Sequence, residues 1–171
     1  MAKAWDVPGL RGDARFRDAA GRVILTRWTE MMSHRQGTLL GEDIEHLHAM
    51  RVSSRRLRAA MDAFEGAFPP KSFKRYLRQV MEITDVLGDA RDLDVAIDRL
   101  TGLLGTMRRD ERAGIEGLIA RYREERAAED PVIAALFDRI DETRFERRLA
   151  GYVEKHTGVR LAKLKPVAPE D

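Results

Sequence analysis

The chain has 171 residues, of which 35% are charged and none is cysteine, and its formal net charge is +2. This length fits one domain that can bury a substantial core. The lack of cysteine excludes disulfides, thiolate metal sites and cysteine nucleophiles, and it fits a reducing cytoplasm. No apolar run approaches the roughly 18 residues of a membrane span. The composition therefore indicates a cytoplasmic globular protein with no membrane partner.

Apolar residues recur at helical spacing along the chain, and no convincing alternating strand pattern is present. The sequence therefore predicts an all-α bundle of about six helices within a domain of residues 14–153. Residues 1–13 are expected to form a flexible N-terminal arm, and residues 154–171 a basic C-terminal tail. The six helices are predicted over residues 14–33, 42–67, 71–87, 89–104, 107–127 and 131–153.

Glycine and proline set the predicted boundaries of these helices. Pro69 and Pro70 end the second helix. Gly88 is expected to end the third, with Asp89 as the N-cap of the fourth. Asp130 followed by Pro131 has the form of a helix start, with a cap residue and then a proline at the first helical position.

The second predicted helix has an almost purely cationic polar face. No carboxylate lies between positions 46 and 61, whereas a solvated helix face normally mixes charges of both signs because like charges repel. Such a face is tolerated best when an anion neutralises it, and a merely solvated basic face is the alternative. We name as the basic stripe the four residues that share this face at 100° per residue: His48, Arg51, Arg55 and Arg58.

A second basic face follows in the third predicted helix. Residues 48–78 hold eight Lys and Arg against two Asp and Glu, a local balance of +6. Local field, more than net charge, recruits anionic ligands. Arginine binds phosphate oxygens through a planar fork of donors, and lysine adds a mobile point charge. The candidate residues on this second face are Lys71, Lys74, Arg75 and Arg78.

Two motifs stand in order along this part of the chain. The first is His-x-x-Arg-Val-x-x-Arg-Arg-Leu-Arg over residues 48–58, and the second is Leu-Gly-Asp-Ala-Arg-Asp-Leu-Asp-Val over residues 87–95. The ordered pair resembles the CHAD family, the conserved histidine α-helical domain. The resemblance covers residues from about 15 to 150 and is to the N-terminal half of that domain.

The resemblance implies a basic-faced helical module that binds inorganic polyphosphate and is not an enzyme. By the first motif, the implied binding residues are His48, Arg51, Arg55, Arg56 and Arg58. The second motif adds Arg91, together with Asp92 and Asp94. Arg56 lies about 80° from His48 on the helical wheel, so it is expected to pack against the fourth predicted helix. A full CHAD domain is a tandem of two similar halves, so a homodimer is expected to rebuild the paired arrangement.

Two other functions remain open from the residues alone. Both basic faces would also suit nucleic acid, although Phe73 and Tyr76 are expected to point inward and so to offer no surface for base stacking. A helical enzyme acting on phosphate compounds is the third possibility. It would need a carboxylate pair, and Asp92 and Asp94 point apart on a helix. Asp92 is expected to serve as a cap and as a counter-ion to an arginine such as Arg55.

The sequence predicts neither a cofactor nor a metal site. It contains no glycine-rich phosphate loop of the common nucleotide-binding types. His46 and His48 lie two residues apart, and a helix directs them about 160° from each other, so they cannot chelate one metal ion. His34 and His156 are expected to be surface residues.

Overall fold

The computed structural model describes residues 3–166 and residue 168. The described part of the chain is helical and contains no strand, which confirms the all-α prediction. It has seven α-helices: α1 (Phe16–Ser33), α2 (Arg35–Leu40), α3 (Ile44–Ala63), α4 (Pro70–Leu104), α5 (Arg112–Glu142), α6 (Phe145–Thr157) and α7 (Leu161–Leu164). Short 3₁₀ helices at Glu65–Ala67 and Arg109–Glu111 precede α4 and α5.

The predicted apolar faces form one core between these helices. On α3, the face opposite the basic stripe is buried, with exposures of 0–2% for Leu47, Met50, Leu57 and Met61. Burying side chains of this size stabilises the fold by roughly 1.5–3 kcal/mol each. This packing fixes the rotation of α3 about its axis. The basic stripe is therefore directed away from the core.

Helix α4 is continuous through Gly88, so the predicted break at that residue is wrong. Its 35 residues give a length of about 52 Å. Gly88 is buried in the helix interior, and the exposed Asp89 is a helical residue rather than an N-cap. Gly88 packs against the side chain of Arg51 from α3, a contact that a local reading of the sequence could not detect.

The predicted helix start at Pro131 is also wrong, because α5 runs through this residue. A proline inside a helix deprives the carbonyl four residues earlier, that of Ala127, of its amide partner. Both residues are exposed, so water can bond to that carbonyl. The chain turns instead at Arg144, which has a left-handed φ of 50°. Residues Ile133, Phe137, Ile140 and Phe145 are buried as predicted.

Helix α2 was not predicted, and it lies between the predicted helices 14–33 and 42–67. It ends at Gly41, whose φ of 65° is the left-handed conformation that glycine adopts without strain. Gly37 lies under the ring of His46, so closely that the ring leaves no room for a Cβ atom. Arg35 fixes α2 to α5 by donating two hydrogen bonds, 2.8 and 2.5 Å long, to Asp141.

The two ends of the described chain lie against α1. In the N-terminal arm, the carbonyl of Trp5 accepts a hydrogen bond from Arg27, and the carbonyl of Pro8 accepts one from Arg22. The segment that was predicted to be flexible is thus tied to α1 at two points. After α6 the chain forms α7, where Leu164 is 4% exposed. The predicted tail up to residue 166 is therefore partly helical and packed, and residues 167 and 169–171 lie outside the described residues.

Candidate anion-binding groove

Three arginines of the basic stripe line one open groove between α3 and α4. The two helices are consecutive, and residues near Arg51 on α3 lie level with residues near Gly88 on α4. Asp62 at the end of α3 and Thr84 on α4 are both part of the groove lining. The residues that line it are Arg51, Arg55, Arg58, Ala59, Asp62, Thr84 and Asp85. The structure thus brings together side chains from both helices around a mainly cationic surface.

Arg51 lies directly on the backbone of α4. A Cβ atom placed on Gly88 would be 3.0 Å from Nη2, 3.1 Å from Cζ and 3.1 Å from Nε of Arg51. Because this Cβ atom would be almost equally far from three atoms of the planar guanidinium, it would lie over the face of that group. The guanidinium plane therefore covers Gly88, and its N–H donors lie around the edge of the plane.

Two carboxylates in the groove were missed by the sequence reasoning. Asp62 lies four residues after Arg58 and seven after Arg55, so helical periodicity alone could have placed it on the same face. Asp85 lies on the neighbouring helix, and only the packing of α4 on α3 brings it to the groove. The groove is thus mixed in charge, with three arginines and two aspartates.

Two residues of the histidine motif lie apart from this groove. His48 is half-buried on α3, one turn before Arg51, and does not line the groove. Arg56 donates a hydrogen bond of 2.8 Å to Glu30 of α1. The sequence reading assigned Arg56 to the fourth predicted helix and did not anticipate this hydrogen bond to α1. Glu30 is 1% exposed and also accepts hydrogen bonds from Arg27 and Ser53.

The second basic face forms a separate cleft near the start of α4. Pro69, Lys71, Ser72, Arg75 and Arg78 line it, and we name it the Pro69 cleft. Lys74 is exposed, and its carbonyl accepts a hydrogen bond of 3.3 Å from Nε of Arg78. The sequence placed these four cations on one face. The structure divides them between the cleft and the adjoining surface.

Aromatic rings beside the Pro69 cleft pack on one another. Phe73 is 1% exposed, as predicted, while Tyr76 is only half-buried. The ring of Tyr152 lies 4.5 Å from that of Tyr76 and 4.7 Å from that of His156, between centroids. Its hydroxyl lies 3.0 Å from that of Ser72. These rings are thus packed against one another beside the cleft.

Asp94 of the second motif bonds to α5 and does not line the groove. Asp94 is 9% exposed and accepts a hydrogen bond of 3.0 Å from Arg126 of α5, with Arg91 at 4.0 Å. Asp92 is exposed. Asp92 and Arg55 are both described, and they form no ion pair, so the predicted pairing between them is wrong. Arg91 is thus held next to the α4–α5 interface.

Within the described ranges, no group of three or more His, Asp or Glu side chains is placed to hold a metal ion. His34 and His46 approach each other, with ring centroids 6.5 Å apart. No described helix is both long enough and apolar enough to cross a bilayer. The groove and the Pro69 cleft are the two candidate sites that contain cations predicted from the sequence.

Comparison with known proteins agrees with this arrangement. The family model described as "CHAD domain" matches residues 22–170. The crystal structure of the CHAD domain from the plant Ricinus communis is similar in fold, with a TM-score of 0.73 and 22% sequence identity. The match covers 92% of this chain and 52% of that one, so this chain spans about half the length of the plant domain. No curated protein matches the sequence.

Proposed function

Because this chain belongs to the CHAD domain family, we propose that its α3–α4 groove binds inorganic polyphosphate as a non-catalytic, cytoplasmic module. The observation that carries the proposal is the convergence of Arg51, Arg55 and Arg58 on one groove. Each guanidinium can donate two parallel hydrogen bonds to a phosphate group. A linear polyanion would satisfy several of them at once.

The spacing of the arginines suits a ligand with repeated charges. Arg51 and Arg58 are seven residues apart, which corresponds to about 10.5 Å along the helix axis. A single phosphate cannot reach both ends of that row, whereas a chain of linked phosphates can follow it. Binding would release counterions, so the affinity should fall steeply as salt increases.

Competitive titration tests the proposal. Purified protein is titrated at one fixed salt concentration with long-chain polyphosphate, single-stranded RNA and duplex DNA. We expect the tightest binding to polyphosphate, and no release of phosphate when the complex is incubated with Mg²⁺. Tighter binding to RNA or DNA would favour the nucleic-acid alternative. Release of phosphate by the protein, but not by an R51A/R55A/R58A variant, would favour an enzyme.

We also propose that two chains associate as a homodimer when polyphosphate bridges them. Support comes from the plant CHAD domain, which is about twice as long as the segment aligned here. Two-fold pairs are the commonest homo-oligomers, and like-charged grooves repel until an anion lies between them. Light scattering should show a dimer with long polyphosphate and more monomer without it. A monomer under both conditions would contradict this association.

A further inference from the structure

We infer that Gly88 is a positioning residue for the groove, since the lack of a side chain there lets the guanidinium of Arg51 lie flat against α4. The inference rests on the proposed function, because it concerns how one arginine of that site is held. Gly88 thus has a role other than ending a helix, which is what the sequence had predicted for it.

The guanidinium of Arg51 is the nearest neighbour of Gly88 outside the backbone of α4. The three nearest atoms that a Cβ at this position would meet all belong to the guanidinium of Arg51, at 3.0–3.1 Å. Nonbonded carbon contacts are normally about 3.5–4.0 Å. An alanine would therefore push the guanidinium outward by a few tenths of an ångström. The displaced group is the end of a flexible side chain, so the fold can adjust while the donors move.

A second glycine in the same helix shows that this contact is particular to position 88. Gly102 is also inside α4, and a Cβ atom there would meet nothing within 4 Å. Glycine weakens a helix interior relative to alanine because it loses more backbone entropy on folding. Alanine at position 102 should thus strengthen α4 without touching the groove. G102A is a matched control for G88A.

The position of the guanidinium matters because its donors lie in its plane. With its face on the α4 backbone, the guanidinium lies against α4, and Arg51 lines the groove. Bidentate hydrogen bonding to a phosphate depends on the orientation of this plane. An alanine at position 88 should therefore weaken polyphosphate binding even though it improves the helix propensity of α4.

The experiment is a double-mutant cycle in the intact chain. Long-chain polyphosphate is titrated into the parent, G88A, G102A, R51A and R51A/G88A. We expect G102A to bind like the parent and G88A to bind several-fold more weakly, though no more weakly than R51A. The double variant should bind like R51A alone, because Gly88 acts only through Arg51. The thermal unfolding midpoint should rise in G102A and should be higher in R51A/G88A than in R51A.

The outcomes separate this inference from the proposed function. If R51A weakens binding but G88A does not, or if the two losses add in the double variant, the positioning role is overturned and the groove remains the site. If R51A binds like the parent, or if the parent binds no polyphosphate, the proposed function fails. In that case the NMR signal of the Arg51 Nε–H group still decides the contact. It should shift in G88A and stay unchanged in G102A, and no shift in G88A would overturn the inference.

Discussion

Arg56 of α3 donates a 2.8 Å hydrogen bond to Glu30 of α1, whose carboxylate is 1% exposed. The pair joins two core helices beneath the basic stripe. R56A would remove one charged donor from a buried acceptor, which costs roughly 1.5–3 kcal/mol. We therefore expect a lower free energy of unfolding, measured with denaturant, and unchanged polyphosphate affinity in the folded fraction. R58A is the control, since it also removes one positive charge from α3 but does so at a residue that lines the groove. A loss of affinity in R56A without a loss of stability would contradict this role.

The two groove carboxylates should limit the affinity for anions. Asp62 and Asp85 stand beside the three arginines and would repel a bound phosphate chain. D85N should therefore bind polyphosphate up to a few-fold more tightly, with the gain shrinking as salt is added. D98N on the same helix, an exposed residue outside the groove, controls for the change in net charge. Equal gains in both variants would show that the effect is not local.

The Pro69 cleft should make binding depend on chain length. Its Arg75 lies ten residues before Asp85 on α4, which corresponds to about 15 Å along the helix. Only a long polyphosphate can occupy the cleft and the groove together. R75A/R78A should weaken long-chain binding and leave inorganic triphosphate binding unchanged. R109A/R123A, which removes two exposed arginines elsewhere, should affect neither ligand strongly. Equal losses for both ligands in R75A/R78A would argue against a two-site contact.

The stability should fall in mild acid because of His34. Burial lowers the pKa of His34 from its ordinary 6.5, and the nearby His46 lowers it further, while Glu30 opposes the shift. The unfolded chain then binds a proton at higher pH than the folded chain does. The contribution of His34 to the free energy of unfolding is therefore complete above about pH 6.5, and it is lost as the pH falls toward the pKa of His34 in the folded state.

H34Q should reduce the difference in unfolding free energy between about pH 7.5 and about pH 5.5. The pKa of His156 is also lowered, first by burial and then by Lys155 and Arg17. H156Q is therefore measured alongside, and H34Q/H156Q should show the flattest profile of the set. An identical pH profile in H34Q and the parent would rule out a contribution from His34.

The sequence predicted the helical fold and the basic stripe because both follow from periodicity. Once Leu47 and Met50 are buried, the rotation of 100° per residue determines the side of the helix on which Arg51 and Arg55 lie. Burial then confirmed the apolar face. Arg51, Arg55 and Arg58 could be placed together because they share one helix.

Features that depend on contacts between helices could not be predicted in this way. Gly88 resembles a helix terminator when read locally, but Arg51 packs on it from another helix. Asp85 lines the groove only because α4 packs on α3. Arg56 bonds to Glu30 only because α1 packs on α3. Pro131 similarly resembles a helix start, although an exposed helix face tolerates it. Local propensity is a weak prior that tertiary packing overrides at such positions.

The polyphosphate affinity of R51A/R55A/R58A, compared with that of the parent over a range of salt concentrations, decides whether the α3–α4 groove is the binding site. Each arginine should contribute roughly 1–3 kcal/mol as a charge-assisted hydrogen bond. We expect the triple variant to remain folded, because these side chains lie on the groove and not in the core, and to lose most of its affinity. The slope of log affinity against log salt should also decrease, since fewer counterions are released. A triple variant that binds polyphosphate as tightly as the parent, with the same slope, would contradict the account.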